Sequence, residues 1–389
     1  MLAKRMQNLG TETAFAVLSR AKALEAEGRD IVHLEIGEPD FDTPRNVIDK
    51  GVWALQNGYT HYGPSAGLPE VRATFAEHIA KDRGIDVGPE NVVVVPGGKP
   101  IIFFPFMALI DPGDEVVYPN PGFPIYESMI NFLGAKGVPL PLKEEKDFSF
   151  DVADLAALVN DNTKLLVINS PQNPTGGILS GSDLDAIAEL AVKHDFWVMS
   201  DEIYSKIIYE GSHESIATRP GMLERTIILD GHSKTYAMTG WRLGYGIMPA
   251  ALAESGDEVV YPNPGFPIYE SKIDFAGATA VSLPLEEKHA FSFDVEKLET
   301  HVSDATQLLI INSPQNTTGG VEPKESLERV AELALKHDFM VLSDEIYCRL
   351  VWDGEFQSIT RFPGMADRTI ILDGHSKTYA MTGWRLGYG

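Results

Sequence analysis

The sequence predicts an α/β protein, a three-layer α-β-α arrangement around a mostly parallel sheet, partly duplicated along the chain. Three observations carry this. Short apolar runs such as 91–95 "NVVVV" and 164–170 "KLLVINS" read as strands buried on both faces. Runs of helical spacing such as 182–195 "SDLDAIAELAVKHD" lie between them, the alternation that builds a parallel sheet covered on both sides. Finally, Gly113–Gly246 matches Gly256–Gly389 at a constant offset of 143 without a gap, with 88 identities over 134 positions.

Taken in order, Thr13–Glu27 predicts a helix with Phe15, Leu18 and Leu24 on one side, stopped by Gly28. Asn46–Gln56 carries Ile48, Val52 and Leu55 at helical spacing. Pro69–Arg83 starts with proline in the first turn, repeats Val71, Phe75 and Ile79 every four residues, and ends at Gly84. The strand at 91–95 runs into "PGGKP", a glycine turn that opens another helix. Strands follow at 115–119, 137–142, 164–170, 196–204, 226–231 and 242–248. A repeat of this length excludes solenoids and propellers, whose periods run roughly 20–50 residues. The expected division is an N-terminal arm and helix at 1–45, a large domain at 46–250, a linker at 251–255 and a partial repeat at 256–389. Both copies open with "GDEVVYPNPGFPIYES" and close with "RTIILDGHSKTYAMTGWRLGYG", while their middles have drifted. Recombination or a chimeric reading frame fits that pattern as well as slow divergence does.

Composition narrows the class. With 32 basic against 56 acidic residues the net charge is −24, which repels phosphate backbones and anionic lipid. No nucleic-acid or membrane partner is expected. The single cysteine, Cys348, excludes an internal disulfide and reads as a buried thiol in "DEIYCRLVW". The longest apolar run, "IIFFPFMALI", contains a proline and falls short of the ~20 residues of a membrane span. The first residues carry no apolar core or cleavage site, so a cytoplasmic protein is expected.

In parallel sheets ligands bind beyond the carboxyl ends of the strands, where "SPQNPTGG", "SDEIY" and "DGHSK" all fall. The groups brought there are Asn173, Asp201, Tyr204, Ser233 and Lys234, with Arg242 eight residues after the lysine and Gly97–Gly98 at the earlier turn. A lysine amine forms a Schiff base with an aldehyde. A buried carboxylate holds a pyridine nitrogen protonated, and a tyrosine hydroxyl and an asparagine amide suit a phenolate. A glycine turn opening a helix, a serine and an arginine suit a phosphate. One molecule carries all four groups, pyridoxal 5′-phosphate; no metal is expected. Singly, each residue has an ordinary reading: Lys234 a solvated lysine, Asp201 a helix cap, Phe123 a core aromatic, Arg242 a salt-bridge partner. Tyr204 could be a half-buried strand residue, Asn173 a turn residue before proline and Tyr62 a loop tyrosine. His232 and His61 are read as packing or solvent residues.

Seven strings in order carry a family resemblance: "LEIGEPDFDTP", "YTHYGPSAGLPEVR", "PGGK", "NPGFPIYE", "NSPQNPTGG", "SDEIYSKIIYEG" and "SKTYAMTGWRLGY". From about Leu34 to Met248 the chain resembles the class I pyridoxal-phosphate-dependent aminotransferases (aspartate aminotransferase superfamily, fold type I). The resemblance implies that Lys234 is the Schiff-base lysine and shuttles the proton between Cα and C4′. It implies that Asp201 partners the pyridinium, and that Tyr204 and Asn173 hold the ring oxygen. Gly98, Lys99, Ser233 and Arg242 would cradle the phosphate, and Phe123 would stack on the ring. Tyr62 would reach the phosphate of a neighbouring subunit, while Gly37, with Asn173, would lie near the substrate carboxylate. The implied activity is transfer of an amino group from an L-amino acid to a 2-oxo acid. A catalytically impaired cofactor-binding or scaffold duplicate, and a lyase or racemase on the same fold, are the alternatives.

Copy two retains Phe266, Asp344, Tyr347, Ser376, Lys377 and Arg385, but nothing like "NVVVVPGGK" precedes it. It reads Thr317 where copy one has Pro174. A cis bond before a non-proline residue costs about 2.5–4 kcal/mol, so Asn316–Thr317 is expected to be trans, with Asn316 displaced from the ring oxygen. Copy one is therefore the better candidate. The resemblance also implies a following small domain whose arginine grips the substrate α-carboxylate. Here copy one runs into "IMPAALAES" and the repeat restarts, so weak substrate binding and slow turnover are expected. The expected assembly is a homodimer, or an intrachain pseudo-dimer in which copy two packs as a second subunit.

Overall fold

The computed structural model describes residues 8–10, 13–33, 36–61, 63–64, 66–249, 258–275, 279–352, 354–382 and 387–388. Tyr62 and Arg385 lie outside the described residues. The chain divides into two compact units, one built from 2–51 and 63–252, the other from 253–389 with 52–62.

In the first unit the N-terminal helices are α1 (Thr13–Ala26), α2 (Arg45–Gln56), which runs across the unit boundary at Gly51, and α3 (Pro69–Arg83). Then come β1 (Val92–Val95), α4 (Lys99–Leu109), β2 (Glu115–Asn120), α5 (Pro124–Leu133), β3 (Lys136–Pro141), α6 (Val152–Leu158), β4 (Thr163–Asn169), α7 (Gly181–His194), β5 (Trp197–Asp201), β6 (Thr226–Gly231) and β7 (Gly244–Ile247). The sheet order is β1-β7-β6-β5-β4-β2-β3. Every pairing is parallel except those of β7, which runs antiparallel to both neighbours. The expected three-layer α/β fold is what the chain adopts.

The period-2 alternation of the strands divides the core into two layers. Val116, Leu165, Val167 and Met199 pack with Ile101, Phe106, Tyr126 and Ile130 of α4 and α5. Val117, Leu166, Ile168 and Val198 face the other way, onto Leu155, Leu184 and Ile187 of α6 and α7. Local signals set the helix ends. At α7 the Ser180 hydroxyl accepts from the Asp183 amide at 3.2 Å and the Asp183 carboxylate accepts from the Ser180 amide at 2.9 Å, a capping box. Helix α2 forms as expected, but Val52 and Leu55 remain 47% and 44% exposed. The run expected as a strand to Tyr204 leaves the ladder at Asp201, and residues 202–205 turn away.

The second unit repeats the pattern with β8 (Glu258–Asn263), α8 (Ile268–Phe275), β9 (Thr279–Pro284), α9 (Val295–His301), β10 (Thr306–Asn312), α10 (Lys324–His337), β11 (Met340–Asp344), β12 (Thr369–Gly374) and β13 (Gly387–Tyr388). Its sheet order is β13-β12-β11-β10-β8-β9. One face has a full core of its own, with Leu309, Ile311 and Val341 against Leu327, Val330 and Phe339. The opposite face is poorer, because no segment equivalent to β1 and α4 precedes β8. Ile227 and Leu229 are 3% exposed in β6, whereas their equivalents Ile370 and Leu372 in β12 are 47% and 40% exposed. Cys348, expected to be buried, is half-buried, because β11 ends at Asp344 and the thiol falls in the turn beyond it. No helix among the described residues is long and apolar enough to cross a membrane.

Candidate active site

Three adjacent strands of the first unit end together. Asn169 of β4 stands beside Asp201 of β5, which stands beside Leu229 of β6. The Asn169 amide donates to the Asp201 carbonyl at 3.0 Å, and its side-chain oxygen accepts from the Asn173 backbone N–H at 2.7 Å. Asn169 thus fixes where the loop carrying Asn173 leaves the sheet. The Asp201 carboxylate is buried and accepts from Tyr126 Oη at 2.6 Å and from the Ile203 amide at 3.3 Å. Burial pushes its pKa up to about 6, against the pull of Tyr126 and the Ile203 amide.

Lys234 lies in the turn after β6, half-buried, with Nζ 5.6 Å from the centre of the Tyr204 ring. Its ammonium donates to the carbonyl of Gly37. Burial holds the Lys234 pKa below its ordinary value, opposed by Glu38. The segment bearing Gly37 is tied to the lysine turn: Thr239 Oγ1 donates to Glu38 at 3.0 Å, and Trp241 Nε1 donates to Thr43 at 3.1 Å. Burial and then the Asp201 charge push the Tyr204 phenol up to about 12.

The glycine turn lies beside this group. Gly98 caps α4 and Lys99 is its first residue. Gly97 has φ +87°, a conformation that favours glycine, and a Cβ there would fall 2.0 Å from Arg242 Nη2. A Cβ on Gly244 of β7 would fall 2.6 Å from the Gly97 carbonyl carbon and 2.8 Å from the Gly98 nitrogen. Antiparallel β7 therefore presses its backbone on the turn and delivers Arg242, whose guanidinium donates to the Thr239 carbonyl at 2.8 Å. Ser233 sits in the same turn as Lys234. Phe123 caps α5, its ring 5.7 Å from that of Tyr126 and nearly perpendicular to it.

The structure therefore brings Asn173, Asp201, Tyr204 and Lys234 to neighbouring strand ends, with Gly98, Lys99 and Arg242 at the adjoining turn. Two features escape the sequence reading. Tyr126, fully buried, sits in a helix whose first residue is the last proline of a Pro-Gly-Phe-Pro run, which reads as loop. Beneath the site, Arg83 donates to Glu202 at 2.7 Å and to Asp230 and Ser205 at 2.8 Å each. Burial works against the Glu202 charge, but His213 at 3.0 Å and Arg83 hold its carboxyl down at about 2. Asp230 is instead pushed up to about 6 by burial despite Arg83.

In copy one Asn173–Pro174 is cis, whereas its copy-two equivalent Asn316–Thr317 is not, as expected. The expected displacement does not extend to the backbone: the Asn316 amide keeps its bond to Asn312 at 2.8 Å, matching Asn173 on Asn169.

An α/β sheet presenting an amine, a buried carboxylate, a phenol and a glycine turn at its carboxyl edge has the groups that suit pyridoxal phosphate. Comparison with known proteins gives the family. Residues 29–255 and 246–389 each match the family described as aminotransferase class I and II. The chain is 42% identical over 260 residues to a probable aspartate/prephenate aminotransferase of Thermus aquaticus, covering 66% of this chain and 67% of that protein. It is 41% identical over 250 residues to an aspartate aminotransferase of Musicola paradisiaca, covering 64% of this chain and 62% of that one. Among solved structures, aspartate aminotransferase from Thermus thermophilus with maleate matches with a TM-score of 0.62 and 41% identity, covering 64% of this chain and 65% of that one. The chain belongs to the class I and II aminotransferases, whose cofactor is pyridoxal 5′-phosphate. It spans about two thirds of the length of these relatives.

The residues present fit that cofactor. The donor set matches each of its functional groups, and the Arg242 guanidinium lies directly against Gly97, a close approach that a Cβ at that position would forbid. The buried Asp201 carboxylate accepts from two donors among the described residues, Tyr126 and the Ile203 amide, which leaves acceptor capacity toward a ring N–H.

Proposed function

We propose that this chain is an aminotransferase that moves an amino group from an L-amino acid to a 2-oxo acid, with copy one as the working site. The observation that carries the reading is the placement of Lys234, with its depressed pKa, and Asp201 at neighbouring strand ends. When bound, the cofactor supplies an electron-withdrawing ring that weakens the bond from Cα to its hydrogen. Asp201 holds a proton at the ring nitrogen, its own charge stabilised by Tyr126. Lys234 would hold the aldehyde carbon and would carry the proton between substrate Cα and the cofactor's C4′. Partial burial favours its neutral amine, the form able to accept that proton. Tyr204 and Asn173 would orient the ring oxygen, and Phe123 would stack on the ring. Gly98, Lys99, Ser233 and Arg242 bind the phosphate, and Gly37 and Asn173 approach the substrate carboxylate.

The reading extends to a cytoplasmic protein working as a homodimer or an intrachain pseudo-dimer, Tyr62 reaching across to a neighbouring site. It also keeps the division into an arm at 1–45, a cofactor unit at 46–250, a linker at 251–255 and a repeat at 256–389. The test is purification with added cofactor, absorbance spectra before and after addition of a panel of amino acids, and detection of the matching 2-oxo acids. A cofactor band that shifts with amino acid and disappears in Lys234→Ala is expected. A band indifferent to every amino acid, with no oxo acid formed, would overturn the reading.

A further inference from the structure

Two apolar surfaces of this chain are bare, and their shapes are complementary. The first is a groove in the second unit. In copy one, Phe123 and Ile125 at the start of α5 and Ile227 and Leu229 of β6 pack in one cluster with Ile101, Ile102 and Phe106 of α4. The copy-two equivalents of the first four are Phe266, Ile268, Ile370 and Leu372, and all four are exposed. Ile370 stands in register beside Leu342 of β11, so it continues the apolar face that α8 covers with Tyr269 and Ile273. The opening between α8 and β12 is one helix wide, since an eleven-residue helix fills its counterpart in copy one. The second surface is α2, which buries none of its twelve residues. Its Ile48, Val52 and Leu55 nonetheless repeat at helical spacing and form a stripe along one side. Tyr59 returns to that stripe, its amide donating to the Ala54 carbonyl at 3.1 Å. Val52, Leu55 and Tyr59 are exposed. Single exposed apolar residues are ordinary on a surface; an apolar stripe on a helix that covers nothing is not.

We propose that the groove of copy two is a docking site for α2 of a second copy of this chain. Each chain carries one stripe and one groove, so two chains satisfy both in a twofold pair. The lengths agree: twelve residues in α2 against eleven in α4, about 18 Å against about 17 Å. Half the side of a cylinder about 18 Å long and about 10 Å across is about 280 Å². Helix and groove together, in two contacts, then bury about 1,100 Å², just above the roughly 1,000 Å² of a specific interface. Both surfaces leave water without uncovering any other packed face, so the hydrophobic gain is not offset by lost contacts. Docking buries no unpaired charge from α2. Asp49 and Lys50 lie off the stripe, and Arg45 at its edge is paired with Asp49 at 2.8 Å. The net charge of −24 on each chain opposes the pairing, so added salt strengthens it. None of this depends on the cofactor chemistry.

Sedimentation of the full chain over about a hundredfold range of concentration, with and without added salt, reads the association. The mass is expected to rise from one chain toward two. Leu55→Asp spoils the stripe and Ile370→Asp the groove. Both side chains are exposed in the single chain, so each variant is expected to keep the circular dichroism of the parent; Leu55→Ser and Ile370→Ser take their place if it does not. Each variant alone is expected to associate about tenfold or more weakly than the parent. An equimolar mixture of the two is expected to recover a pair, because the intact stripe of the Ile370→Asp chain fits the intact groove of the Leu55→Asp chain. A mass of one chain at every concentration, which a stripe docked on its own chain's groove would also give, overturns the proposal. So does parent-like association of Leu55→Asp alone, where groove would meet groove, or of Ile370→Asp alone, where stripe would meet stripe. A mixture that pairs no better than its components does the same. Each of these results leaves the copy-one reading intact, since cofactor spectra decide that separately.

Discussion

Arg83 Nε donates to Glu202 Oε2 at 2.7 Å, and the two side chains are 2% and 0% exposed. The same guanidinium reaches Asp230 from Nη2 at 2.8 Å. One residue at the end of α3 therefore pairs with the carboxylate that follows Asp201 and with the one next to the end of β6, four residues before Lys234. Copy two keeps both acids, as Glu345 and Asp373, without α3. There Arg349, from the turn after β11, donates to Asp373 at 3.0 Å while remaining 48% exposed.

The two arginines should differ in worth. Removing one member of a buried ion pair leaves an uncompensated charge and typically costs about 3–5 kcal/mol; an exposed pair contributes less than about 1 kcal/mol. Arg83→Met is expected to lower the stability of its unit by the larger amount and Arg349→Met by the smaller. Urea unfolding of each variant checks this, and similar losses from both would contradict it.

Gly97→Ala should separate phosphate binding from ring binding. The added methyl meets Arg242 Nη2 at 2.0 Å and sits on a residue at φ +87°, so about 1–2 kcal/mol of backbone strain accompanies displacement of the guanidinium. Affinity for pyridoxal phosphate is expected to fall about tenfold or more, with the affinity of Lys234 for pyridoxal changed far less. Equal losses for both ligands, read by equilibrium titration, would show that Arg242 does not serve the phosphate.

Asp201 makes the cofactor-free chain sensitive to pH. Its folded pKa, about 6, lies above the ordinary 3.8, so the folded state holds the proton longer than the unfolded chain does. Stability from this group is complete below about pH 4 and is lost as the pH rises to about 6. Asp201→Asn should remove that slope and raise the stability of the cofactor-free chain at pH 7 by up to about 3 kcal/mol. Denaturation midpoints from pH 4 to 7 measure it; an unchanged slope would place the carboxylate in a wetter environment.

Glu322 offers a similar test in copy two, where copy one has Leu179. The carboxylate is 4% exposed, accepts from the Phe293 amide, and is pushed by burial up to about 7 from 4.5. Its folded pKa is raised, so its favourable contribution is present below about pH 4.5 and fades toward pH 7. Glu322→Leu is expected to stabilise the second unit above pH 7 and not below pH 4.5. A gain independent of pH would mean that packing, rather than charge burial, decides the site.

Much of this was legible in the sequence because period and punctuation were strong. The strands of both copies, α3 between Pro69 and Gly84, and α7 ahead of its Asp195 turn all follow from local residues. Asn173, Asp201, Tyr204 and Lys234 could be grouped because each closes or follows a parallel strand. Less was readable where local signals misled. Helix α5 begins on the last proline of Pro-Gly-Phe-Pro, a run that hides it and Tyr126 with it. The run through Asp201 to Tyr204 keeps its strand-like composition after the backbone has left the ladder. Arg83 looked like an ordinary helix end, because its partners lie 119 and 147 residues away and no spacing rule joins them.

The chain also carries its own control experiment. Thr226–Gly231 and Thr369–Gly374 are the same six residues in the same kind of parallel ladder; Ile227 and Leu229 are sealed by α4, while Ile370 and Leu372 are not. Because the intrinsic chemistry of the two hexapeptides is identical, the ratio of their amide-exchange rates reads out the difference in local opening between the two ladders. The wetter ladder is expected to exchange faster, at equal temperature and pH in a single tube, with no mutation made.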